Sequence, residues 1–251
     1  MAVMEFLGQN LLNTTTQLTM QASNTSNSDY LYNRNVNLGW STDGYNSTTA
    51  AVISITFGAP TVITHVLIQN HNLRDFRVYY NSVTANSIVA LTTNSATSTY
   101  ANIASITVNS VDIQMNNTIT GSAEKVMGEF IVAEMRLVFE RNPSHTDWKP
   151  SIHRKQIIHD MPDGGVKVFN IRDKFQANLS WDYLSDTFTS SLETEFNRAF
   201  PLYFVPFPTT TAWDPRAYET NWIGDFDFKH SENSKTQGRS GSIKLRQTSG
   251  G

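Results

Sequence analysis

The sequence predicts a mainly β protein: an N-terminal β-sandwich followed by a C-terminal antiparallel β domain packed with one α-helix. Three observations carry that reading. Strand-like runs follow one another at short intervals with turn residues between them. One stretch alone repeats its apolar residues at helical spacing. Charge is unevenly spread: residues 1–140 hold five Lys/Arg and nine Asp/Glu, whereas 141–251 hold fourteen and thirteen. The first part is crowded instead with Ser, Thr and Asn, which favour strands and turns and keep a surface soluble without charge. Between the two, Pro143 and Pro150 bracket the polar run "ERNPSHTDWKPS". That run reads as a linker and divides the chain into domains at 1–142 and 150–251.

In the first domain, "AAVISITFG" (50–58) is a buried run carrying Val52 or Ile53, Ile55 and Phe57, closed by Gly58 and Pro60. "ITHVLIQN" and "DFRVYYN" are two strands joined by the polar corner Asn70-His71-Asn72. "NSIVALTT" and "ASITVNSVDIQM" continue the series. "EFIVAEMRLVFE" changes its alternation near Met135, which predicts a bulge or twist there. No amphipathic helix is expected in this half.

In the second domain, "HRKQIIHDMPDGGVKVFNI" reads as strand, Pro-Asp-Gly-Gly turn, strand. "KFQANLSW" alternates Phe175, Ala177, Leu179 and Trp181 against Gln, Asn and Ser. The helix is expected at about 185–199. Phe188, Leu192, Phe196 and Phe200 recur every four residues and share one face. Ser185 is placed to cap its start and Asp186 to sit in its first turn; Arg198 lies near its negative end and Pro201 stops it. "LYFVPF", "WIGDFDFKH" and "GSIKLRQT" supply further strands.

Bulk properties exclude several functions. Cysteine is absent, so there is no disulfide, thiolate chemistry or cysteine-ligated zinc. A net charge of −3 gives no global reason to bind nucleic acid. No stretch approaches the ~20 apolar residues of a membrane span, and "MAVMEFLGQNLLNTTTQ" lacks a basic leader followed by a long apolar core. Neither nucleic acid nor membrane is expected as a partner, and synthesis in the cytoplasm is. Asn-x-Ser/Thr triplets at Asn13, Asn24, Asn46, Asn116 and Asn178 are read as a by-product of composition. No Gly-rich phosphate loop or dinucleotide fingerprint occurs, so no cofactor is expected.

"WSTDG" (40–44), "ISITFGAPTVITHVLIQNHNLRDFRVYY" and the closing "MRLVFE" resemble the galactose-binding-like jelly roll of discoidin and coagulation-factor C-type domains and many carbohydrate-binding modules. The resemblance covers roughly residues 30–140. "DMPDGGVKVFNIRDKFQANLSWDYLS…FNRAFPLYFVPFP" and "WIGDFDFKHSENSKTQGRSGSIKLRQT" are similar to stretches of minor and distal tail proteins of tailed bacteriophages. Several of those place the ring-forming domain first, whereas the sandwich comes first here. Together the resemblances imply a virion structural protein without enzymatic activity. It would belong to a symmetric ring in the tail or baseplate, with copies of itself and adjoining tail proteins as partners. The alternative they imply is an adhesin module that recognises a host-surface glycan.

Candidate sites follow. His71 would need a nucleophile or carboxylate beside it to act as a base; Asp75 is the nearest acid, and a histidine bonded into its turn explains the same residues. His153 and His159, six residues apart on one strand, stand ~20 Å from one another. They cannot share a zinc ion with ligand bonds of ~2 Å unless a sharp turn lies between them, although His145 and Asp160 complete the group that invites the metal reading. Asp225 and Asp227, on one face of an expected strand ~7 Å apart, fit a glycosidase pair in spacing, but also fit an ordinary half-exposed strand. No catalytic or metal site is therefore expected. Trp40 and Tyr45 flank Asp43-Gly44, and Trp213, Tyr218 and Trp222 crowd a Pro- and Thr-rich segment. Such aromatics suit glycan stacking, subunit contact or core packing. The basic tail (Lys229, Lys235, Arg239, Lys244, Arg246) has no interleaved aromatic and so lacks a stacking platform for single-stranded nucleic acid.

Overall fold

The computed structural model describes residues 3–13, 17–20, 27–35, 37–42, 49–121, 123–143, 149–161, 165–198, 201–206, 208, 217–230 and 238–248. In chain order the strands are β1 (Glu5–Leu7), β2 (Gln17–Met20), β3 (Trp40–Ser41), β4 (Ala51–His71), β5 (Leu73–Tyr80), β6 (Val83–Leu91), β7 (Thr99–Thr118), β8 (Val126–Ala133) and β9 (Met135–Val138). There follow β10 (Lys149–Asp160), β11 (Val166–Leu184), helix α1 (Asp186–Phe196), β12 (Leu202–Val205), β13 (Tyr218–Trp222), β14 (Phe228–His230) and β15 (Arg239–Gln247). All the strand pairs are antiparallel. The class is the one the sequence predicts, a β-sandwich plus a β domain carrying one helix.

The sandwich is built on two very long strands. The first part of β4 pairs with β2 and with the last part of β7, and its second part pairs with β8 and with the first part of β7. The register breaks between Thr56 and Thr61, where the chain is half-buried or exposed, so one hydrogen-bonded pair serves both layers. Ile53, Ile55, Phe76, Val78, Val111 and Ile113 of one layer meet Val66, Ile68, Phe130 and Val132 of the other in a closed apolar core. β5 and β6 are joined by the two-residue turn Asn81-Ser82, both residues at positive φ, the twist that a tight hairpin requires.

The polar corner has a specific structure. Asn70 takes positive φ, a conformation asparagine tolerates. Asn72 then donates to the Glu124 carbonyl at 2.6 Å and accepts from the Val126 N–H at 2.9 Å. His71 is 2% exposed, accepts from the Leu73 N–H at Nδ1, and donates from Nε2 to the Thr99 hydroxyl. Burial lowers its pKa to about 4, so it is neutral and structural.

Strand pairing does not follow the linker. The second sheet runs β10-β11-β15-β13-β12-β1-β9, with β14 added on β15. The N-terminal strand β1 thus lies between β12 and β9. "MRLVFE", expected to close the sandwich, instead forms β9 in the second sheet. The change of phase near Met135 is the point at which the chain leaves one sheet for the other. Pro150, expected in a linker, lies inside β10, where an edge strand tolerates a residue without an N–H; residues 144–148 lie outside the described residues.

A second core fills one face of this sheet. Phe139 lies parallel to Trp181 at 5.2 Å and contacts Phe6, Phe188 and Phe204. Helix α1 covers it with Phe188 and Leu192. Ser185 caps the helix by accepting from the Phe188 N–H, and it donates its hydroxyl to Glu140 at 2.6 Å. The helix ends at Phe196 rather than near 199, and Phe196 is only half-buried. Phe200 lies outside the described residues.

Phe6→Ala should cost about 3–5 kcal/mol, the range for truncating a fully buried phenylalanine, because Phe6 is 1% exposed. Phe196→Ala should cost clearly less. Urea denaturation of both variants checks the order.

Candidate functional site

The sequence-predicted aromatics do not form one site. Trp40 is fully buried on β3 within the sandwich core. Tyr45 and Trp213 lie outside the described residues. Tyr218 and Trp222, four residues apart on β13, share a face directed at the second core. Tyr218 lies flat on Phe175 with centroids 3.8 Å apart, and Trp222 packs edge-on against Phe196 at 5.2 Å. Asp225 and Asp227 fall in an irregular stretch between β13 and β14, not on a strand, so the proposed strand-face pair does not exist. His153 and His159 do share β10, as expected. Among the described residues no group of three or more His, Cys, Asp or Glu could hold a metal ion.

Two features that the sequence reading missed stand out instead. The first is an arm. β11 pairs with β10 along its first part, but β15 covers its other edge only from Gln176 onward. Residues 152–160 and 166–175 therefore form a two-stranded ribbon of roughly 30 Å. Ile158 faces Val168 on one side of it, and Ile157 faces Phe169 on the other. Ile152, Ile158 and Val166 are 69%, 61% and 60% exposed, and Ile157, Met161, Val168 and Phe169 are exposed as well. A two-stranded ribbon is marginal in water by itself, and this one carries apolar side chains on both faces. The signal was present in "QIIHD" and "VKVF", but exposure depends on the absence of a neighbouring strand, which local sequence does not report.

The second feature is a buried seam between the sandwich and the second sheet. Leu67, Tyr100, Ile131 and Ala133 of the sandwich pack on Leu7, Tyr203, Val205 and Ala217. Polar groups are paired within this apolar contact. Gln69 donates to the Ala217 carbonyl at 3.1 Å. His65 bonds Thr64 at 2.8 Å and Tyr100 at 3.0 Å, and Tyr100 donates to Glu5. Tyr203 donates to Glu129 at 2.9 Å, and half-exposed Arg34 pairs with buried Glu219 at 3.1 Å. Burial pushes the Glu129 carboxyl up to about 7. The Tyr203 hydrogen bond opposes that shift, Glu219 adds to it, and Arg34 opposes it. Burial also holds the Tyr203 and Tyr100 hydroxyls well above the usual phenol range, with Glu129 and Glu5 contributing, so both are donors. The seam has the chemistry of a joint, in which Glu5, Glu129 and Glu219 each have a hydrogen-bond or ionic partner.

No protein-family model matches the chain, and no curated protein matches it. Several solved structures are similar. One is the chitosan-binding module 1 derived from a chitosanase/glucanase of Paenibacillus sp. IK-5, at 11% identity over 50% of this chain and 98% of that chain, TM-score 0.42. Another is the family 32 carbohydrate-binding module from Streptococcus pneumoniae EndoD, at 12% identity over 50% and 99%, TM-score 0.42. A third is a Ruminococcus gnavus GH29 fucosidase in complex with fucose, at 15% identity over 51% and 27%, TM-score 0.42.

The seam makes a pH prediction. Glu129 has a folded pKa above its unfolded value, so the folded state holds the extra proton between about 4.5 and 7, and stability falls as pH rises through that window. Glu129→Gln keeps a hydrogen-bond acceptor and removes the titration. Its stability relative to the parent should be flat below pH 4.5 and improve toward pH 8, by up to about 3 kcal/mol. His71 acts oppositely, its contribution being lost as pH falls from its unfolded value toward about 4; it cancels in the comparison. Urea titrations of both proteins across pH check the difference, and a pH-independent difference would contradict it.

Proposed function

We propose that this chain is a non-enzymatic assembly protein that joins copies of itself through the β10–β11 arm, as a ring component of a tailed-phage tail or baseplate. The observation that carries the reading is the arm: a protruding ribbon with apolar side chains on both faces, which a partner must cover. Charge supports a copy of the same chain as that partner. Residues 149–176 hold six Lys/Arg and three Asp, whereas the whole chain is net negative at −3. A basic arm on an acidic body is attracted to the body of the next copy. Repetition of such a head-to-tail contact gives a ring if the rotation closes. The phage assignment rests on the resemblance of the second half to tail proteins, and the adjoining tail proteins would be its further partners.

The second reading is a module that binds a host-surface glycan through the sandwich; it is the one that the names of the similar structures bring to this chain. Among the described residues, the sandwich offers no exposed tryptophan for it, because Trp40 is buried.

Sedimentation over a concentration series tests the first reading. The parent should form closed oligomers. Ile158→Asp combined with Phe169→Asp should stay monomeric with an unchanged melting temperature, because exposed sites move stability by only about 0.5 kcal/mol. A monomeric parent, or a double variant that assembles equally well, would sink it. A glycan array probed with the parent should be blank, and a reproducible, saturable hit would favour the second reading.

A further inference from the structure

Strand β11 carries a second exposed feature, at the end away from the arm. Between Trp181 and Leu184 its pairing with β15 slips, so that Asp182 and Tyr183 bulge out. The bulge lets both Trp181 and Leu184 enter the second core and leaves Tyr183 at a φ of 63°. Glycine or asparagine takes that conformation readily, whereas a bulky side chain holds it under strain. Packing does not offset the strain. Tyr183 is 53% exposed, and among the described residues no large apolar side chain outside the arm is more exposed. We propose that Tyr183 and Asp182 form the surface on which the arm of the next copy docks, with the arm's Phe169 against the Tyr183 ring and its Lys167 beside the Asp182 carboxylate.

The two faces of the arm differ in chemistry over residues 157–160 and 166–169. One presents Ile158, Val166 and Val168 with Asp160; the other presents Ile157 and Phe169 with His159 and Lys167. The second face combines an exposed aromatic ring with a cation, and so matches a tyrosine beside an acid. The charges around the bulge leave that acid dominant. Asp186 pairs with Arg239, Glu140 with Arg141 and Asp227 with Lys229, so Asp182 sets the sign. Phe169 and Tyr183 stand roughly 45 Å apart along one strand, so no chain can bring its own arm to its own bulge. A contact between unlike surfaces of successive copies is the head-to-tail kind that closes a ring. This docking rests on the role in assembly proposed above for the arm, and the experiment separates the two.

Sedimentation and thermal melting of full-length variants test the docking surface. Tyr183→Gly should remain monomeric at concentrations where the parent assembles. It should nonetheless melt no lower than the Ile158→Asp/Phe169→Asp arm variant, because glycine relieves the backbone strain. Mixed at high concentration, the two variants should form a 1:1 dimer that grows no further, since one keeps the arm and the other keeps Tyr183. A Tyr183→Gly chain that assembles as the parent does, while the arm variant stays monomeric, would overturn the docking surface and leave the arm's role intact. So would a mixture without dimer, or a Tyr183→Gly chain that melts well below the arm variant. A monomeric parent would overturn both.

Discussion

Three residues near the N-terminus hold the two halves of this protein together. β1 is paired on one side with β12 and on the other with β9, so it lies inside the second sheet although it begins the chain. Its alternation divides the work. Phe6 enters the second core against Phe139 and Phe204, while Glu5 and Leu7 enter the seam against the sandwich. The chain then crosses to the sandwich in a few residues: the Gly8 N–H bonds the Glu134 carbonyl at 2.8 Å, and the Leu11 N–H bonds that of Val132 at 2.8 Å. The Asn10 side chain adds bonds to Phe130 and Val132. The junction between β8 and β9 is therefore stitched from outside by the first residues of the chain.

This arrangement explains why β4 and β8 are buried on both faces. In the second part of β4, Val66 and Ile68 face the sandwich core, whereas His65, Leu67 and Gln69 face the second sheet. In β8, Phe130 and Val132 face the core, whereas Glu129, Ile131 and Ala133 face the seam. Two apolar faces on one strand, with paired acids between them, make a stiff joint. In the proposed ring, such a joint would fix the direction of the arm relative to the sandwich, as a repeated head-to-tail contact requires.

The sequence made the strands, the helix and its cap legible, because each depends on neighbours within a few residues. Ser185 and the spacing of Phe188 and Leu192 are such local signals. The polar corner was legible as a corner, and His71 as a structural residue. The seam was not: "ITHVLIQN" and "EFIVAE" do lose strict alternation, the mark of strands covered on both faces, but the second cover comes from residues 5–7 and 203–205, far away along the chain. Composition changes at the linker while strand pairing does not, since β1 and β9 lie in the second sheet. The arm was legible as a hairpin but not as an exposed one. Trp40 looked like a surface platform or a core residue with equal force, and only the fold assigns it to the core.

β1 is a structural tie, held on both edges by β12 and β9. Native-state hydrogen exchange of the Phe6 and Leu7 amides tests it most directly. Both amides should exchange only through global unfolding, with the same free energy as the amides of Phe204 and Val66. Exchange of Phe6 and Leu7 through a low-energy local opening, while Phe204 and Val66 stay protected, would contradict it.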